Sequence, residues 1–154
     1  LLLADLGERE RAAEAFREAT TLDPGYARAH SNLGALLRDS GDLDGALRAF
    51  QSAVAAKADY ALAWANLGAT QRDLGLAGAA IESAERALAI DPKQRTALLL
   101  LAALRRTEGA IDVAAELYAR AILIKDDDAE IWLRFAGTLA ERDDLDRARQ
   151  AAPV

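Results

Sequence analysis

Three glycines, Gly41, Gly75 and Gly109, stand 34 residues apart, and Gly7 carries the same step backwards. Asp143 takes the next place forward. Other columns keep the period without an insertion or deletion. Ala12, Ala46, Ala80, Ala114 and Ala148 form one, Ala19, Ala53, Ala87 and Ala121 a second, and Leu33, Leu67, Leu101 and Phe135 a third. Gly34, Gly68, Ala102 and Ala136 follow directly behind, and Phe16, Phe50, Ala84 and Tyr118 make a mostly aromatic column. A fixed period of this length marks one supersecondary unit repeated along the chain, with each copy burying its apolar face against the next.

Composition identifies the unit. Apolar residues make up 52% of the chain but aromatics only 5%, so Ala and Leu dominate, and both lose little on entering a helix. With three prolines and few β-branched residues, an all-α protein is expected. Each repeat reads as two amphipathic helices of about four turns, with the column glycine ending the first in a left-handed conformation. Helices are expected over 8–22, 25–40, 42–56, 59–74, 76–90, 93–108, 110–124, 127–142 and 144–151, with 1–6 the tail of a preceding one. Asp42, Asp23-Pro24 and Asp91-Pro92 suit helix starts.

The run Trp64-Ala65-Asn66-Leu67-Gly68, the alanines Ala80 and Ala87, and the closing Asp91-Pro92 together resemble the tetratricopeptide signature. The resemblance spans the chain as full repeats 27–60, 61–94 and 95–128, with partial repeats 1–26 and 129–154. It implies a right-handed α-solenoid of antiparallel helical hairpins whose first helices line a concave groove.

Several function classes are disfavoured. A net charge of -6 argues against nucleic acid or an anionic membrane as partner. The longest apolar run, Leu98 to Leu104, is far short of the roughly 20 residues of a membrane span. There is no signal-peptide pattern, no cysteine and no methionine, so a segment of a longer chain is expected; the compartment stays open, with the cytoplasm favoured. No cofactor, metal site or catalytic apparatus is expected. The lone histidine, His30, replaces the usual aromatic of its repeat and reads as a packing residue. Asp126-Asp127-Asp128 lacks the alternation and central glycine of a calcium loop and reads as an acidic helix start.

That leaves the groove, whose places in the resembled family lie on one stripe of the first helix. The second place holds Arg28; the sixth holds Asn32, Asn66, Leu100 and Arg134; the ninth holds Ala35, Ala69, Ala103 and Gly137. The twelfth holds Arg38, Arg72 and Arg106, and the thirteenth Asp5, Asp39 and Asp73. An asparagine amide can both donate to and accept from a peptide backbone, and the Arg and Asp rows can either read charge on a partner or pair with each other. The run Ala29-His30-Ser31-Asn32-Leu33-Gly34, followed by Arg38-Asp39-Ser40-Gly41, is similar to repeats of protein O-GlcNAc transferase. That resemblance implies an asparagine ladder for polypeptides, matched by Asn32 and Asn66 with Asp39 and Asp73 beside them, and departed from at Leu100 and Arg134. A Lys/Asn clamp for a C-terminal carboxylate, used by chaperone-binding members, is not matched. Its fifth place holds Ser31, Ala65, Leu99 and Leu133, and its ninth is always Ala or Gly. Leu99, Leu100 and Leu133 form either an apolar patch on the groove or a set covered by neighbouring helices. The expected function is therefore a non-catalytic scaffold binding a protein or peptide. Alternatives are homo-oligomeric assembly through the terminal repeats and the substrate-binding arm of a larger transferase.

Overall fold

The computed structural model describes residues 2–126 and 128–151, and the side chains within them except those of 2–6 and 147–151. Asp5 and Ala148 of the columns above therefore fall outside the described side chains, and Asp127 outside the described residues. The described residues form eight α-helices: α1 Leu2–Leu22, α2 Ala27–Asp39, α3 Leu43–Ala56, α4 Ala61–Asp73, α5 Ala77–Ile90, α6 Arg95–Thr107, α7 Ile111–Ile124 and α8 Ala129–Ala151. The protein is an α-solenoid. Helices α2–α3, α4–α5 and α6–α7 are antiparallel hairpins, and α1–α2, α3–α4, α5–α6 and α7–α8 join one hairpin to the next.

The column glycines make the hairpins. Gly41, Gly75 and Gly109 have φ of 87°, 78° and 79°, the left-handed region that costs glycine nothing. The amide after each reaches back to close the helix: Asp42 N–H to Leu37 O at 2.9 Å, Leu76 to Gln71 at 2.8 Å and Ala110 to Arg105 at 2.9 Å. This six-to-one bond satisfies carbonyls that a helix end otherwise leaves orphaned. Asp42 then caps α3, its carboxylate accepting from Gly45 N–H at 2.8 Å.

Two expected breaks are absent. The chain runs helically through Gly7 and through Asp143, so α1 and α8 are single long helices. Continuing the helix through Gly7 adds a hydrogen bond per residue. At Asp143 a left-handed residue would cost about 1–2 kcal/mol without glycine. The Asp-Pro pairs also lie earlier than expected. Asp23 and Asp91 accept from Gly25 and Lys93 N–H at 3.0 and 2.9 Å, closing turns, and the helices start at 27 and 95 after Tyr26 and Gln94.

The fourth place of the first helix fastens these turns. Trp64 and Trp132 each donate the indole N–H to the carbonyl six residues back, Ala58 O at 2.9 Å and Asp126 O at 3.0 Å. His30 does the same to Pro24 O at 3.0 Å. A carbonyl only accepts, so His30 Nε2 carries a proton here. The histidine thus stands in for tryptophan as a turn fastener.

Small and large residues alternate through the core. Ala46, Ala53, Ala80, Ala87, Ala114 and Ala121 are fully buried, and Phe50 and Tyr118 fill the space between helices. Gly34 lies against the Phe50 ring so closely that an added Cβ would stand 3.0 Å from it. Among the described residues no helix is long and apolar enough to cross a membrane.

Candidate functional site

First helices α2, α4 and α6 pack on one another as well as on their hairpin partners, while no comparable packing joins α3, α5 and α7. The set that approaches more closely lies on the inner side of the curve, so α2, α4, α6 and α8 line the concave face.

On that face Asn32 is exposed and Asn66 half-buried, one repeat apart. Neither amide side chain has a hydrogen-bond partner among the described residues. Ala35, one turn along from Asn32, is exposed and leaves room above the helix backbone, whereas Ala69, one turn along from Asn66, is buried in the core.

Most of the charged rows are engaged with each other, Arg38 and Arg106 across repeats and Arg72 within its own. Arg38 Nε donates to Asp73 Oδ2 at 3.1 Å, from the twelfth place of one repeat to the thirteenth of the next. Arg106 forks onto Glu141 in the same register, its Nε 3.1 Å from both oxygens and its Nη2 closer still. The middle rung differs, because Thr107 occupies the thirteenth place that an acid holds in the others. Arg72 turns back instead, donating from Nε and Nη2 to Asp73 Oδ1 at 3.1 and 2.7 Å. Glu141 was not singled out in the sequence, although its place in the acidic column is legible there.

The remaining candidates separate. Arg28 and Asp39 are exposed with no partner among the described side chains. Arg134 is held within its own helix by Glu130 at 3.0 Å. Leu100 does not belong to the groove: it is 3% exposed and joins the core with Leu98, Leu101 and Leu104. Its side chain lies over Gly68, where a Cβ would meet its Cδ2 at 2.9 Å, so the core takes it. Leu99 is half-buried and Leu133 is 67% exposed, so the three leucines form no shared patch. A cavity of about 550 Å³ opens between α6, α7 and α8, bordered by Ala103, Arg106, Thr107, Tyr118 and Glu141.

The ion pairs shift the carboxyls. For Asp73 burial alone pushes the value up, but the hydrogen bond from Arg72 and the charges of Arg72 and Arg38 together outweigh it and hold the carboxyl below the ordinary aspartate range. Glu141 is likewise lowered, chiefly by the hydrogen bond from Arg106. A depressed folded-state value means that the ionised form favours the native state, so the contribution is present above about pH 4 and fades as pH falls through the folded value. Asp73→Asn is therefore expected to cost roughly 1 kcal/mol or less at pH 7. The deficit should narrow as urea melts are repeated below about pH 4.

The fold is a solenoid of helical hairpins whose first helices pack along one face. The profile of the tetratricopeptide repeat family matches residues 1–61 and 35–95, and the chain belongs to that family. No curated protein matches the sequence. Among solved structures, MamA is similar over 96% of this chain and 86% of its own, with a TM-score of 0.79 at 22% identity. TTC0263, a thermophilic TPR protein of Thermus thermophilus, covers 89% of this chain and 76% of its own, at a TM-score of 0.71 and 24% identity. The first TPR of Spaghetti (RPAP3), bound to the HSP90 peptide SRMEEVD, covers 79% and 96%, at a TM-score of 0.73 and 16% identity. At these identities the likeness is one of fold.

Proposed function

We propose that this protein is a non-catalytic scaffold that holds an extended polypeptide along its concave face, with Asn32 and Asn66 bonded to the peptide backbone. The observation that supports the reading is the pair of amides, one repeat apart, with no partner among the described residues, and the exposed Ala35 beside the first of them. Most of the charged groups along the face are already engaged with each other. An Asn amide offers a donor and an acceptor together, which suits a peptide unit and ignores its side chain. Arg28 and Asp39 flank the Asn32 amide on α2 and, with no partner among the described side chains, can meet charge on the bound segment. The fold-alike RPAP3 domain holds a peptide, which supports the same use here.

A display library of random dodecapeptides, selected on the immobilised protein, tests this. We expect the wild type to enrich binders, and the best synthetic binder to lose about tenfold or more in affinity for the Asn32→Ala, Asn66→Ala double variant. Two lost amide contacts at about 1 kcal/mol each set that scale. Thermal melting should hardly change, since neither side chain has a hydrogen-bond partner among the described residues. Methylating the peptide's backbone nitrogens should hurt more than truncating its side chains. Unchanged affinity in the double variant rules out the backbone-holding role.

A further inference from the structure

The concave face carries a regular charged ladder with one irregular rung. An arginine at the twelfth place of a repeat reaches the acid at the thirteenth place of the next, 35 residues on, at Arg38–Asp73 and Arg106–Glu141. In the same register the place opposite Arg72, 35 residues on, is held by Thr107. Threonine offers no charge, and its hydroxyl is already spent on Leu104 O at 2.7 Å. Arg72 therefore shares Asp73 with Arg38, leaving two guanidinia on one carboxylate. The Arg72 side chain is 41% exposed, and an exposed pair between adjacent residues contributes little. Asp73 would keep Arg38 if Arg72 swung away. Arg72 and Thr107 are both exposed, so a side chain from outside can reach this rung; the cavity of about 550 Å³ that Thr107 borders lies on the α8 side, among Arg106, Glu130, Arg134 and Glu141.

We propose that the Arg72–Thr107 rung is where the groove reads its ligand: an aspartate or glutamate side chain of the bound polypeptide takes, opposite Arg72, the place that Asp73 and Glu141 hold in the neighbouring rungs. The inference rests on the groove-binding reading above and names the ligand class, an extended segment with one internal acid at a fixed distance from the Asn-bound stretch. Arg72 pivots from Asp73 to the incoming carboxylate, with which its planar fork can make two parallel hydrogen bonds. The excess positive charge of the Arg38–Asp73–Arg72 group favours that arrival. Polypeptides with Gln or Asn at that point should be refused, since they bring no charge to Arg72.

Substitution of Thr107 makes the test sharp. Thr107→Glu completes the rung from within, as Glu141 does for Arg106, and should raise the melting temperature while occupying the reading position. Thr107→Gln adds similar bulk without charge. The dodecapeptide selection is run with C-terminally amidated peptides, so that only side-chain carboxylates are available, on the wild type, Thr107→Glu, Thr107→Gln and Arg72→Gln. Wild type and Thr107→Gln should enrich Asp or Glu at one fixed register. Changing that residue to Gln in a synthetic binder should weaken it about tenfold. Thr107→Glu and Arg72→Gln should still enrich peptides, but without the fixed acid. An acid preference that survives in Thr107→Glu or Arg72→Gln, or binders with no fixed acid on the wild type, overturns the rung assignment and leaves groove binding standing. Failure of the wild type to enrich any peptide overturns both.

Discussion

Phe50→Ala is expected to destabilise the protein by about 3–5 kcal/mol, the usual cost of emptying a fully enclosed aromatic site. Phe50 is 0% exposed, enclosed by Ala46, Leu67 and the half-buried Leu37, Leu47, Val54 and Trp64, with its ring against the bare backbone of Gly34. Gly34 has no Cβ with which to close the gap, so the cavity cannot collapse from that side. At roughly 2–4 °C per kcal/mol for a chain of this size, the melting temperature should fall by on the order of 10 °C. Phe16 provides the control. It stands in the same column but is only half-buried on α1, and Phe16→Ala should cost less than half as much. Urea unfolding of both variants, followed by circular dichroism, gives the comparison. Stability in a solenoid is a sum of repeat and nearest-neighbour terms. Losing Phe50 weakens the hairpin between α1 and α4 and should also broaden the transition, because the two ends begin to unfold separately. Equal costs at Phe16 and Phe50 would show that the column does not carry the α2–α3 hairpin.

Most of this fold was legible because a repeat states each structural rule several times. Gly41, Gly75 and Gly109 could be read as left-handed turns from their spacing alone, and all three have the expected backbone. The failures share a cause, which is that a column predicts a residue's role only while its neighbours are also regular. Gly7 lies inside the continuous helix α1, and a glycine by itself does not stop a helix. Asp143 keeps the place in the column but lacks the backbone freedom that makes the turn. His30 was rightly expected to be structural, but its hydrogen bond to the turn could be seen only once Trp64 and Trp132 showed the same bond. The Arg and Asp rows were legible as rows. Their pairing across repeats was not, because the step from Arg38 to Asp73 exceeds the period by one and only the stacking brings the two together.

Leu100 shows the same effect most sharply, and it sets the second large prediction. Its column gives asparagine twice before it, which placed it in the groove, but the aromatic column is also broken at Ala84. With no ring to hold the helices apart, α5 approaches Gly68 closely: an added Cβ there would lie 3.0 Å from Ala80 O and 3.2 Å from Ser83 Cβ. Leu100, from the next repeat, lies on the same spot and joins the core there. Leu100→Ala should therefore cost about 2–5 kcal/mol, the range for a buried leucine, whereas an exposed groove leucine would cost roughly 0.5 kcal/mol or less. Gly68→Ala should also destabilise. The overpacking of about 1–3 kcal/mol exceeds the gain of about 1 kcal/mol from better helix propensity, because one obstacle is backbone and cannot swing aside. The two changes should not add. Removing the Leu100 methyls clears one of the three contacts, and the methyl introduced by Gly68→Ala fills part of the space they leave. The double variant should thus be more stable than the sum of the single costs by about 0.5–3 kcal/mol. Ala80 O still stands in the way, so the rescue should remain incomplete. Denaturant unfolding of the four proteins in this cycle measures the coupling directly, and costs that add to within about 0.5 kcal/mol would mean that Leu100 does not lie over Gly68.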